Sequence, residues 1–112
     1  MHINIPTRAK AGSVVPITCD PATRAFSAGI YKNAKKVTVK EHGRDVQRYR
    51  GELIQVEQEN TKAEGPAIDG VIHIELYDKN GPFAKGIYLI RSVAVREDGS
   101  DRLSKESLIE VV

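Results

Sequence analysis

The chain contains no tryptophan, a single cysteine and no apolar segment long enough to cross a bilayer. Each absence excludes something. With four Tyr and two Phe as its only aromatic residues, the core must rest on Val, Ile, Leu and Ala. Cys19, standing alone, rules out an internal disulfide and fits a reducing compartment. The opening MHINIPTRAKAG holds no apolar run of signal-peptide length, and no stretch of about 18 apolar residues follows it. A soluble protein of the cytoplasm or of a virion, not secreted through a signal peptide and not meeting a membrane, is expected. Signatures of catalysis are missing as well: there is no GxSxG, no HExxH and no Gly-rich phosphate loop.

What is present fits one globular domain spanning residues 1–112. A charged content of 29% against 40% hydrophobic residues is ordinary and argues against disorder. A chain of this size buries roughly two-thirds of its unfolded surface in one core. Its charge is unevenly laid out. Residues 1–51 hold ten Lys/Arg against three Asp/Glu, a balance of +7, and residues 52–112 hold seven against twelve, a balance of −5. Either the two halves interleave into an ordinary solvated surface, or the molecule has one basic end suited to an acidic partner or to head-to-tail stacking.

Val, Ile, Thr and Tyr fall in short runs broken by Gly, Pro, Asn and Asp, which is the pattern of strands. INI at 3–5 reads as a first edge strand ended by Pro6. In SVVPITC, Val15, Ile17 and Cys19 share a face, and Pro16 removes a backbone donor, so this strand is expected at an edge or at a bulge. Residues 20–34, DPATRAFSAGIYKNA, lack alternation and read as a long loop. KKVTVKEHGRDVQRYRGELIQVEQE reads as a hairpin turning at His42-Gly43 or Arg44-Asp45, and 60–70 as a second loop. VIHIELY alternates, DKNGP turns, GIYLIRSVAV follows, EDGS turns again and LSKESLIEVV closes the domain. No helix of ten residues is expected. About seven short strands at this spacing argue an antiparallel β-sandwich or a small barrel.

The segment 70–112 decides between these two. Its order of strand, Asn-Gly turn, Gly-x-Tyr, apolar strand, acid-Gly turn and final strand resembles the last three strands of immunoglobulin-like and fibronectin-III-like domains. PTRAKAGSVVPITC is similar to the first two strands of bacterial immunoglobulin-like modules. The resemblance implies an immunoglobulin-like β-sandwich in which Tyr88 forms a corner, its hydroxyl bonding back to the backbone. Where many members carry a second Cys, this chain has Ile90. Cys19 stands at the place of the first, and the buried Trp is missing. A lone module of this kind resembles small structural proteins of tailed bacteriophages, which implies a virion component such as a capsid-decoration or tail protein. The stretch Pro6-x-x-Ala9-Lys10-x-Gly12 is also similar to the smaller subunit of the sulfur-carrier Sox complex, which implies a cytoplasmic carrier or adaptor.

Candidate chemistry is sparse. His2, His42 and His73 lie far apart with no neighbouring Cys or paired carboxylate, so no zinc site and no metal or cofactor of any kind is expected. Ser13 and Ser92 have no activating partner in the sequence, and Cys19 reads as a buried filler. Glu97, Asp98 and Asp101 crowd one turn, but Asp and Gly are ordinary turn residues and the spacing is not that of an EF-hand. Basic residues around Tyr31 and Tyr49 suit an OB-like single-strand nucleic-acid binder as an alternative reading.

One strand is unusual. In Gly86–Arg96, Tyr88, Ile90, Ser92 and Ala94 fall on the core face, which leaves Ile87, Leu89, Val93 and Val95 on the other, where an antiparallel sheet normally shows polar residues. Either the 20–34 segment or the N-terminal arm covers these residues, or they form a contact face. The expectation is a non-enzymatic structural or binding module. It would pack this face on another protein chain, or on itself, with Lys36, Lys40 and Arg48 setting approach and register.

Overall fold

The computed structural model describes residues 2–20, 23–60, 70–96 and 102–112. Among these there is no helix, and so none long and apolar enough to cross a membrane. The strands are β1 (Ile3–Asn4), β2 (Arg8–Ala9), β3 (Val14–Cys19), β4 (Thr23–Glu41), β5 (Arg44–Asn60), β6 (Val71–Glu75), β7 (Tyr77–Asp78), β8 (Gly81–Pro82), β9 (Gly86–Arg96) and β10 (Arg102–Val111). They form a three-stranded sheet of order β1-β3-β6, a five-stranded sheet of order β2-β10-β9-β4-β5, and the small β7-β8 hairpin.

Alternation builds the core. In β3 and β6, Val15, Ile17, Ile72 and Ile74 are buried, while Val14, Pro16, His73 and Glu75 between them are exposed. They meet Phe26, Ala28 and Ile30 of β4, Ile90 and Ala94 of β9, and Ile109 and Val111 of β10 in one cluster between the two sheets. Each large aliphatic side chain removed from water contributes about 1.5–3 kcal/mol. Lys105 Nζ donates to the Ile3 carbonyl at 3.1 Å, tying β10 to β1 across the edge of the sandwich. The buried Ser92 hydroxyl donates to the Ser27 carbonyl at 2.8 Å, and Ser13 Oγ to the Lys10 carbonyl at 2.6 Å. Both serines are engaged by the backbone.

Two expectations about strands need correction. β3 is the middle strand of its sheet, with Pro16 opposite His73 and no bulge. It tolerates proline because β1 reaches only Thr18 and Cys19, leaving that side of β3 open at Pro16. The 20–34 segment is not a loop. From Thr23 onward it is β4, which lies between β9 and β5 and pairs with both.

β4 also runs past the sheet. It pairs with β9 only as far as Tyr31, and from Lys32 to Glu41 it pairs with β5 alone. The sharp turn at His42-Gly43 has φ of 51° and 75°, the left-handed pair that a two-residue hairpin requires. The expected hairpin and the first of its two candidate turns are therefore present. A radius of gyration of 15.1 Å exceeds the roughly 13 Å of a compact domain this long, as a projecting ribbon requires.

Candidate functional site

The outer face of the five-stranded sheet, together with the ribbon that bends over it, gathers most of the residues singled out in the sequence. Register places Ile87, Leu89, Arg91, Val93 and Val95 of β9 on this face. Beside them lie Ser104, Glu106 and Leu108 of β10, and Ser27, Gly29 and Tyr31 of β4. The opposite face carries the buried Ile90, Ser92 and Ala94, with Tyr88 half-buried at its end.

The aliphatic stripe on β9 is not uniform. Ile87 is 52% exposed and Leu89 is fully buried, while Val93 and Val95 are half-buried. Leu89 does not belong to the cluster between the sheets, so its cover comes from the outer side. Leu108 and Tyr31 stand directly opposite it on the two neighbouring strands. At Gly29 a Cβ would come within 3.3 Å of Leu53 Cδ1 and 3.4 Å of Tyr31 Cε1, which places both side chains over that glycine. Around this covered centre four large apolar side chains stay open: Ile87, Leu108 at 38%, Leu53 at 54% and Val56 at 58%.

The ribbon bends where its pairing slips, between Ile30 and Tyr31 and again between Lys32 and Lys35. Asn33 takes a φ of 54° at this point. Opposite the bulge sits Gly51, where an added Cβ would lie 2.9 Å from the Lys32 carbonyl oxygen and 3.0 Å from Tyr31 Cβ. Bulges bend and twist a strand, and here the bend carries the ribbon back over β9. Arg91 fastens it. Its Nε donates to Glu106 Oε2 at 2.9 Å, its Nη2 donates to the Tyr49 carbonyl, and its guanidinium lies 5.2 Å from the centre of the Tyr31 ring. Three strands thus converge on one cation.

Of the expected cations, Arg48 makes a two-point pair with Glu41, at 3.0 Å and 2.7 Å. The hydrogen bond from Arg48 holds the Glu41 carboxyl below the usual carboxylate range, and Glu41 in turn raises Arg48. Arg48 also lines a cleft of about 410 Å³ with Arg91, Val93, Ser104 and Glu106. Lys36 and Lys40 are exposed on the opposite face of the ribbon. Sequence reasoning missed Arg91 as the fastener; its lone charge in an apolar strand was the available signal.

At the other end of β9, the Tyr88 hydroxyl donates to the Ala84 carbonyl at 2.7 Å, and its ring stacks on Phe83 at 5.6 Å. Burial raises the Tyr88 phenol above its ordinary value. His2, His42 and His73 are exposed and apart, and Cys19 is half-buried at the rim of the core. The acidic turn with Glu97, Asp98 and Asp101 lies outside the described residues. Among those described, no three His, Cys, Asp or Glu side chains gather in a way that could hold a metal.

No family model, curated protein or solved structure matches this chain.

Proposed function

We propose that the chain is a non-catalytic, immunoglobulin-like binding module that works by packing the outer face of its five-stranded sheet against another protein chain. One observation carries this reading. Ile87, Leu108, Leu53 and Val56 remain 38–58% exposed on that face, although the sandwich already has a closed core. Apolar side chains clustered on a sheet face and rimmed by charge mark contact surfaces. Affinity would come from their burial, at roughly 25 cal/mol per Å² before the costs of association.

The immunoglobulin-like assignment draws support from strand order. β1-β3-β6 corresponds to the first, second and fifth strands of such domains, and β10-β9-β4-β5 to the last, the penultimate, the third and the added strand beside it. The bond from Tyr88 back to Ala84 has the form of their tyrosine corner. The virion setting, a capsid or tail protein, rests on the sequence resemblance alone, as does the carrier or adaptor alternative.

Charged substitutions at Ile87 and Val56, Ile87→Asp with Val56→Asp, test the reading. Both side chains are exposed, so the monomer should stay folded while assemblies seen in native extract by size-exclusion chromatography with light scattering disappear. His73→Asp, on the exposed face of the other sheet, should leave those assemblies intact. Assemblies that survive the double substitution in folded protein contradict the proposal.

A further inference from the structure

We infer that the β4–β5 ribbon beyond the sheet is a second binding element, one that lies in the major groove of a B-form DNA duplex. This is separate from the protein contact proposed for the sheet face. The ribbon concentrates charge. Residues 32–50 hold seven Lys/Arg against two Asp/Glu, a balance of +5 in a chain whose total is +2. Two of the seven cations are already engaged: Arg48 by Glu41 and Lys32 by Glu52, the latter at 3.7 Å. Lys35, Lys36, Lys40, Arg44 and Arg50 remain, all exposed.

Their directions matter more than their number. Lys36 and Lys40 leave one face of the ribbon, while Lys35, Arg44 and Arg50 leave the other, as the pairings Lys35 with Arg50 and Glu41 with Arg44 dictate. A ribbon lying flat on an acidic protein would present cations from one face. Lys35, Arg44 and Arg50 share the face of Arg48, which turns toward Arg91 and Glu106, yet all three stay exposed, so cations are available to phosphates along both flanks of the ribbon. The dimensions agree. Seven residues per strand, 35–41 and 44–50, span about 23 Å at ~3.3 Å per residue. The major groove of B-DNA, about 12 Å wide, admits a two-stranded β-ribbon, whereas the deep, narrow major groove of A-form RNA does not. Aromatic platforms for a single strand are not on offer, because Arg91 occupies the Tyr31 ring and Tyr49 is half-buried.

The five uncommitted cations set the salt dependence. At about 0.9 counterions released per phosphate contact, log K should fall against log [salt] with a slope of about −4.5, or about 500-fold between 50 and 200 mM salt. The experiment is fluorescence anisotropy of the full chain with a 20-base-pair DNA duplex, and with double-stranded RNA, single-stranded DNA and polyglutamate as comparators. Wild type should bind the DNA duplex most tightly and with that slope. Lys36→Ala with Lys40→Ala should flatten the slope to about −2.7, leaving a loss of only about 40-fold over the same salt range. Glu41→Gln, which releases Arg48, should steepen it by about 1. Lys79→Ala, in the distant β7–β8 turn, should change nothing. No binding at 50 mM salt, an unchanged slope in the double variant, or equal or tighter binding to RNA, single strands or polyglutamate would each overturn the inference. Loss of the wild-type circular dichroism spectrum would disqualify the double variant, and Arg44→Ala, at the open tip, then replaces it with an expected slope change of about 0.9.

Discussion

Replacing Leu89 with Ala separates a covered outer face from an open one. Leu89 and Ile87 lie two residues apart on the same side of β9, one fully buried and the other 52% exposed. Shortening Leu89 to Ala forfeits about 2.5 kcal/mol of transfer free energy at ~0.8 kcal/mol per methylene. The hole beneath Tyr31 and Leu108 adds a cavity contribution, because the sheet backbone on both sides holds those neighbours in place. Measured Leu→Ala losses in packed sites run from about 2.7 to 5 kcal/mol, and about 3 kcal/mol is expected here. Ile87→Ala should cost about 1 kcal/mol or less, since half of that side chain is already in water. Urea denaturation followed by far-ultraviolet circular dichroism measures both, with the midpoint shifting at constant slope. In thermal melts the Leu89 variant should lose about 12–24 °C, at ~4–8 °C per kcal/mol for a domain of this size. If Leu89→Ala costs under about 1 kcal/mol, or no more than Ile87→Ala, the ribbon and its neighbours do not cover this strand.

Three further outcomes are expected. Tyr88→Phe should destabilise by about 1 kcal/mol, because the Ala84 carbonyl loses its donor; denaturant midpoints equal to wild type would show the corner bond to be idle. Glu41 has its pKa depressed by Arg48, so its contribution is present above the ordinary carboxylate range and is lost as pH falls through the depressed value. The Arg48 side-chain Nε–H shift should therefore move in acid and hold still in Glu41→Gln, and equal movement in both proteins refutes the coupling. Gly51→Ala should cost about 1–3 kcal/mol, as a Cβ there meets the Lys32 carbonyl oxygen at 2.9 Å, and should weaken amide-exchange protection in 32–52; unaltered protection contradicts the bend described here.

Strands whose two faces differ were legible in the sequence. Ile72, Ile74, Val15 and Ile17 alternate with polar or exposed neighbours because one side of their sheet meets water, and the period of two follows directly. The His42-Gly43 turn was legible because only a few residues accept a positive φ. β4 was not, for the opposite reason. It is covered on its inner side by the core and on its outer side by Tyr31 and Leu53 leaning over Gly29. Small residues such as Ala25, Ser27, Ala28 and Gly29 fill such a strand, and they carry no β-propensity signal. Pairing slips at 30–35 then break what alternation remains. The exposure of the outer sheet face was legible only in part. Ile87 and Leu89 look alike in the sequence, and their different exposure follows from a bend made forty to sixty residues earlier in the chain.

The outer face of the five-stranded sheet is proposed to meet a protein partner, and a cross-linker placed there should capture it. A photo-reactive phenylalanine analogue placed at position 87, and in a second protein at position 73 on the opposite sheet, tests it directly. Irradiation in native extract should give a discrete higher-mass adduct from position 87 and none from position 73, both residues being exposed in the isolated chain. Adducts from position 73 alone, or equally from both positions, would contradict the claim.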